Sequence, residues 1–167
     1  IKNIALANTL TRISQQGRKE FYEGETARKL VDYINSKDGI ISMEYLESYE
    51  AEWREPIVFD YKDLRVISMS PPSSGGICLA QILKSIEKFP LKKYGHNSTK
   101  AIQVITEAER RAYADRSHFL GDPDFVDIPV DELISDAYLM GRMDDFSFDK
   151  ATLSAAMDHG EIPGYES

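Results

Sequence analysis

Residues 99–120 read as one long helix with its ends spelled out. Asn97 or Ser98 can cap it, Ile102, Ile105, Ala112 and Phe119 fall on one face, and Gly121 with Pro123 supplies the stop. Most helical stability comes from packing of the apolar face.

Residues 1–16 predict a helix with Leu6, Leu10 and Ile13 on one stripe, closed by Gly17; Phe21-Tyr22 then lead to a turn at Gly24. A second helix is expected over 25–36, burying Ala27, Leu30, Val31 and Ile34 and ending at Asp38-Gly39. Ser42 caps a short helix running to Tyr49. The period then changes to two. Residues 57–59 and 64–69 are β-rich and flank a turn at Asp60–Asp63, which predicts a hairpin. Two strands alone are marginal, so the hairpin should lie on a helix or join another sheet. A helix over 77–89 with the stripe Leu79, Ile82, Leu83 and Ile86 follows, then a loop over 92–97. After the long helix, Pro129 opens another, burying Val130, Leu133, Ile134 and Ala137. A short helix is expected over 148–155, and Gly160, Pro163 and Gly164 mark an irregular end. The fold class is thus mostly α with a small β-hairpin (α+β). Residues 1–167 are expected to form a single domain, with a weakly structured acidic segment over 142–167.

Charge sharpens the functional reading. The net charge is -8, and residues 122–167 hold 12 acids against two bases, Arg142 and Lys150. Such a surface repels phosphate backbones, which argues against nucleic acid as a partner. No apolar run reaches membrane-spanning length, and no signal peptide is visible, so no membrane partner is expected. Cys78 is the single cysteine, which excludes an internal disulfide; within Ile77, Leu79 and Ala80 it reads as a packing group rather than a nucleophile.

Each remaining chemical group has a structural reading beside its functional one. Ser73-Ser74-Gly75-Gly76 joins a β-like run to a helix, where Ser73 or Ser74 would cap the helix and the free N–H groups would alternatively face an anion. Asp122, Asp124 and Asp127 crowd a helix end without calcium-loop spacing and read as a turn. Asp115 and Arg116 are adjacent, cannot face each other, and each require a partner from another element. His96, His118 and His159 are too scattered to signal a metal, and His118 reads as a surface or boundary residue. Trp53 is expected to anchor the hairpin. No catalytic, substrate-binding or metal-ligating residue is assigned, and no cofactor is expected.

Four phrases in order resemble the γ-glutamyltranspeptidase family: Phe21-Tyr22-Glu23-Gly24; Trp53-Arg54-Glu55-Pro56; Met69-Ser70-Pro71-Pro72-Ser73-Ser74-Gly75-Gly76; and Glu107 to Arg116 with Gly121-Asp122-Pro123-Asp124-Phe125. The resemblance implies a piece of an αββα N-terminal nucleophile hydrolase fold. It implies a precursor that cuts itself into two subunits. The small subunit begins with a threonine that is both the nucleophile and, through its amine, the base. The γ-glutamyl group of glutathione would pass to that threonine, then to water or an amino acid. Because a Tyr-Glu-Ser-like phrase precedes the threonine in the family, Tyr165-Glu166-Ser167 implies that the nucleophile lies beyond Ser167. The chain then corresponds to the C-terminal half of the large subunit and is inactive alone. Its partners are the small subunit and the remainder of the large one.

Arg54, Arg110, Arg111 and Arg116 are not promoted to the family's substrate-binding arginine. Family members are commonly exported, which implies a periplasmic or extracellular parent. A cephalosporin or glutaryl acylase on the same scaffold, a stand-alone helical module binding an anion or peptide, and a homodimer through the hairpin's apolar face are the alternatives.

Overall fold

In the computed structural model, which describes residues 2–165, the chain forms two compact units, Ile1–Trp53 and Arg54–Ser167. The expected helix start at Ile1 and the end of the Tyr165-Glu166-Ser167 phrase lie outside the described residues.

The first unit is helical: α1 (Ile4–Gln16), α2 (Arg18–Tyr22), α3 (Glu25–Asn35) and α4 (Met43–Ser48). Asn3 caps α1 by accepting from Leu6 N–H, and Ser42 caps α4 by accepting from Tyr45 N–H. Gly17 at φ 63 turns the chain from α1 into α2, a short helix that periodicity did not announce. In α3, Ala27 and Val31 are buried as expected. The α1 stripe is different: Leu6 and Leu10 are exposed and α1 buries no residue. What ties the unit together is instead Glu20, only 2% exposed. Its Oε1 accepts from Arg12 Nε at 2.8 Å and from Thr26 Oγ1 at 2.8 Å, linking α1, α2 and α3. Trp53 is fully exposed and anchors nothing, contrary to expectation.

The second unit begins with β1 (Ile57–Tyr61) and β2 (Leu64–Ser68), an antiparallel pair with Phe59 opposite Val66 and Val58 opposite Ile67. The turn is tighter than expected, two residues at Lys62 and Asp63, with Lys62 at φ 55 and its N–H donating to Glu87 Oε1 at 2.7 Å. One hairpin face, Ile57 and Phe59, packs on α5 (Gly75–Glu87); Val58, Ile67 and Met69 on the other side stay exposed. Then follow α6 (Leu91–Tyr94), where a loop was expected, and α7 (Thr99–Phe119), capped by Ser98.

The core joins Ile57, Phe59, Ile77, Ala80, Phe119, Leu133 and Ile162. A second cluster of Ile86, Val104, Ala108 and Met143 sits further along α5 and α7. The buried face of α5 is Ile77, Cys78, Ala80, Gln81, Ser85 and Ile86, with Leu79 exposed. Similarly, Ile102 on α7 is exposed and Val104 takes its place inside. The other expected positions face inward: Ile86, Ala112 and Phe119 are buried, and Ile82, Leu83 and Ile105 pack against the core, so each stripe is misread only at its first residue.

The helix expected after Pro129 is two: α8 (Val130–Leu133) and α9 (Asp136–Arg142). Ser135 interrupts them and caps α9 through its Oγ, which accepts from Tyr138 N–H; Leu133 and Leu139 are buried while Ala137 faces out. Beyond α9, among the described residues, only a 3-10 turn over Ser154–Ala156 forms, in place of a helix over 148–155.

Candidate functional site

The Ser73–Gly76 phrase enters α5 through a cis bond between Pro71 and Pro72. The helix starts at Gly75, and Ser74 occupies the cap position without capping. Ser73 Oγ accepts from Gly75 N–H at 3.3 Å, a local turn, while Ser74 Oγ accepts from Arg116 Nε at 2.9 Å. Three of the amides at this helix start are engaged: Gly75 N–H with Ser73 Oγ, Gly76 N–H with the Met69 carbonyl and Cys78 N–H with the Ser74 carbonyl. Gly76 is required by space: a Cβ there would overlap the Met69 carbonyl oxygen and lie 2.8 Å from Ile57 Cγ1.

Nearby, a cleft of about 610 Å³ is lined by Arg54, Pro71, Pro123, Phe125 and Val130. Asp124 holds the Arg54 guanidinium at 3.0 Å, and Asp122 Oδ1 accepts from Asp124 N–H. The acids after α7 thus serve a turn and an ion pair. Burial pushes the Cys78 thiol up, away from the reactive thiolate.

The richest polar chemistry lies inside the second unit, on one stripe of α7. Glu107, Arg111 and Asp115 follow at intervals of four and are all buried, between 1% and 3% exposed. Arg111 Nη1 donates to Glu107 Oε2 at 2.6 Å, and its Nη2 reaches Asp145 and Thr152 Oγ1. Glu107 Oε1 also accepts from Arg110 Nη1 at 2.8 Å and Thr152 N–H at 3.2 Å. Burial pushes the Glu107 carboxyl up, but hydrogen bonds from Arg111 and Thr152 outweigh it and the net direction is down.

Asp115 ties α7 to α5, α9 and the irregular segment around Gly160. Its Oδ2 accepts from Gln81 Nε2 of α5 at 3.1 Å and Arg142 Nε of α9 at 3.2 Å; its Oδ1 accepts from Gly160 N–H at 2.9 Å and pairs with Arg142 Nη2 at 2.8 Å. Tyr138 sits beside it, and burial together with the Asp115 charge pushes the phenol up.

Arg116, next along α7, points the other way to Ser74, so each residue of the Asp115-Arg116 pair has its partner on another element. His118 is at the boundary, stacked on His159 with ring centroids 3.5 Å apart. Sequence reasoning named Asp115 and Arg116 but missed Glu107, Gln81, Tyr138, Arg142 and Gly160. The four-residue spacing of Glu107, Arg111 and Asp115 beside the apolar positions of α7 was the available signal.

A sequence model of the family described as gamma-glutamyltranspeptidase matches residues 1–164. The chain is 44% identical over 162 residues to the glutathione hydrolase proenzyme of Escherichia coli (strain K12), covering 97% of this chain and 28% of that protein. It is 35% identical to the Acylase ACY 1 proenzyme of Pseudomonas sp. (strain V22), covering 93% of this chain and 28% of that protein. The solved Helicobacter pylori gamma-glutamyltranspeptidase superposes with a TM-score of 0.85 at 42% identity, over 99% of this chain and 47% of that one. The chain therefore spans less than a third of the curated relatives named here. The sequence match and the superposition both run along almost the whole chain, helices and hairpin included: the chain belongs to the γ-glutamyltranspeptidase family.

Proposed function

We propose that this chain is part of the large subunit of a γ-glutamyltranspeptidase precursor and acts as its scaffold. The intact enzyme would cleave the γ-glutamyl bond of glutathione and pass the acyl group, through a threonine ester, to water or an amino acid. The observation that carries this is the family match along residues 1–164 together with coverage of only 28% of the E. coli relative.

The chain's own chemistry supports a bracing role. The hydroxyls of Ser73, Ser74 and Thr152 are spent on internal hydrogen bonds, and its buried charges are paired. The uncovered hairpin face, Val58, Ile67 and Met69, suits a neighbouring layer supplied by the small subunit or the remainder of the large one. On this reading the nucleophilic threonine follows Ser167, and the parent enzyme works in the periplasm or outside the cell.

The test compares the full-length protein with residues 1–167 alone on γ-glutamyl-p-nitroanilide. The full protein is expected to hydrolyse it and the shorter polypeptide to be inert. Enzyme-like turnover by residues 1–167 would refute the scaffold role. A second reading, an acylase, is favoured by the Acylase ACY 1 relative. Preference of the full protein for a glutaryl or cephalosporin amide over the γ-glutamyl substrate would select it.

A further inference from the structure

Residues 157–165 form no helix or strand, and irregular segments of this kind ordinarily open first. Here side chains supply what a ladder does not. Gly160 N–H donates to Asp115 Oδ1 at 2.9 Å, and Arg142 Nη2 donates to the Asp158 carbonyl at 2.7 Å while holding Asp115. His159 stacks on His118, Ile162 enters the core, and the Tyr165 hydroxyl donates to the Asp127 carbonyl. Gly160 has no room for a side chain: a Cβ would run into Tyr138 Oη and lie 2.7 Å from Arg142 Cδ.

Burying an aspartate and an arginine in this way is poor value for stability, because desolvation offsets most of the attraction and apolar residues of like volume often do as well. What such a pair does supply is a single geometry with directional bonds. We infer that Asp115, with Arg142 and Gly160, is a positioning device that fixes the backbone of residues 158–165 and thereby sets where the self-cleaving hydroxyl of the precursor is presented. This rests on the reading above, in which the threonine follows Ser167.

In that self-cleavage the hydroxyl oxygen attacks the preceding carbonyl carbon. The C–N bond breaks as the C–O bond forms, and the hydroxyl proton passes to the freed amine. Water then opens the ester, leaving a carboxylate and the regenerated hydroxyl. The step needs attacking oxygen and carbonyl held in near-attack geometry, and a misplacement of about 1 Å costs on the order of 100-fold.

The experiment uses the full-length precursor carrying Asp115→Asn or Arg142→Lys. Three quantities are read: conversion to subunits over time on denaturing gels, amide hydrogen exchange in peptides spanning 157–165, and Tm. Conversion is expected to slow by roughly 10- to 100-fold, with faster exchange confined to 157–165. Conversion is expressed per folded molecule, so that a loss of global stability, which removes molecules without slowing those that stay folded, does not reproduce the slowing.

Wild-type conversion in both variants despite faster exchange overturns the inference, as does unchanged exchange in both. If Asp115→Asn does not fold, Arg142→Lys decides alone. A wild-type precursor that never converts refutes the underlying reading, and with it the maturation role. The exchange data still report separately whether Asp115 holds the segment.

Discussion

Removing the Glu107 carboxylate should be among the most damaging single changes in the second unit. Arg111 is 3% exposed. With Glu107→Ala it would lose its 2.6 Å partner and keep the Glu107 backbone carbonyl, Thr152 Oγ1 and Asp145, whose side chain is largely in solvent. Thr152 N–H and Arg110 Nη1 would lose an acceptor as well. Breaking a buried pair from one side costs roughly 3–5 kcal/mol because the other charge stays behind. The surviving Asp145 contact puts the expectation near the lower end, about 3 kcal/mol. For a unit of this size that is a fall in Tm on the order of 10–15 °C.

The assay is urea unfolding followed by far-UV circular dichroism, with the slope required to match wild type so that the midpoint reports stability. The double variant Glu107→Met/Arg111→Met removes both charges and should recover most of the loss, since apolar replacement of a buried pair is often neutral. The net downward direction of the Glu107 carboxyl gives a second check. A depressed folded pKa contributes stability present above the unfolded value, about 4.3, and lost as pH falls below it. The gap between wild type and Glu107→Ala should therefore narrow in acid. A cost below about 1 kcal/mol, the level of exposed pairs, or a double variant no better than the single, would refute the reasoning.

Gly76→Ala should cost about 3 kcal/mol, the upper end for overpacking, because the first atom met is the Met69 carbonyl oxygen, a backbone atom that cannot swing aside; a melt within 2 °C of wild type would count against it. In the first unit, the hydrogen bonds from Arg12 and Thr26 hold the Glu20 carboxyl down at about 2. Its contribution is therefore full above the unfolded value and is lost as pH falls from about 4.3 toward 2. Glu20→Gln should flatten that acid limb, read from amide exchange in α1–α3 across the range, and an unchanged limb would assign the acid sensitivity elsewhere.

Local signals were legible where local physics decides. Ser42 and Ser98 were readable as caps because the cap bond runs only three residues forward. The long helix and the hairpin were readable from period alone. What failed was orientation. The α1 stripe has the right spacing, yet within its unit Leu6 and Leu10 meet nothing that buries them. The buried face of α5 is set by the hairpin on one side and α7 on the other, so it wraps past the stripe that Leu79 suggested. The break at Ser135 was missed because Val130, Leu133, Ile134 and Ala137 keep helical spacing across it; Ser135 is spent on capping instead.

The phrase from Glu107 to Arg116 shows why the candidate site was harder to read than the fold. On an exposed helix, acid and base four residues apart are an ordinary surface pattern worth a few tenths of a kcal/mol. The same spacing on α7 faces inward, and within the phrase the sign of it is that Ala108 and Ala112 lie beside these charges and are buried with them. The distinction is made by Gln81, Arg142, Thr152 and Gly160, which converge on the α7 acids from as far as 45 residues away along the chain. Two phrases that carry the family resemblance meet in space at Ser74 and Arg116, and one of them holds the buried Asp115. Their residues hold neighbouring elements in place, so the resemblance is carried by groups that place chain segments.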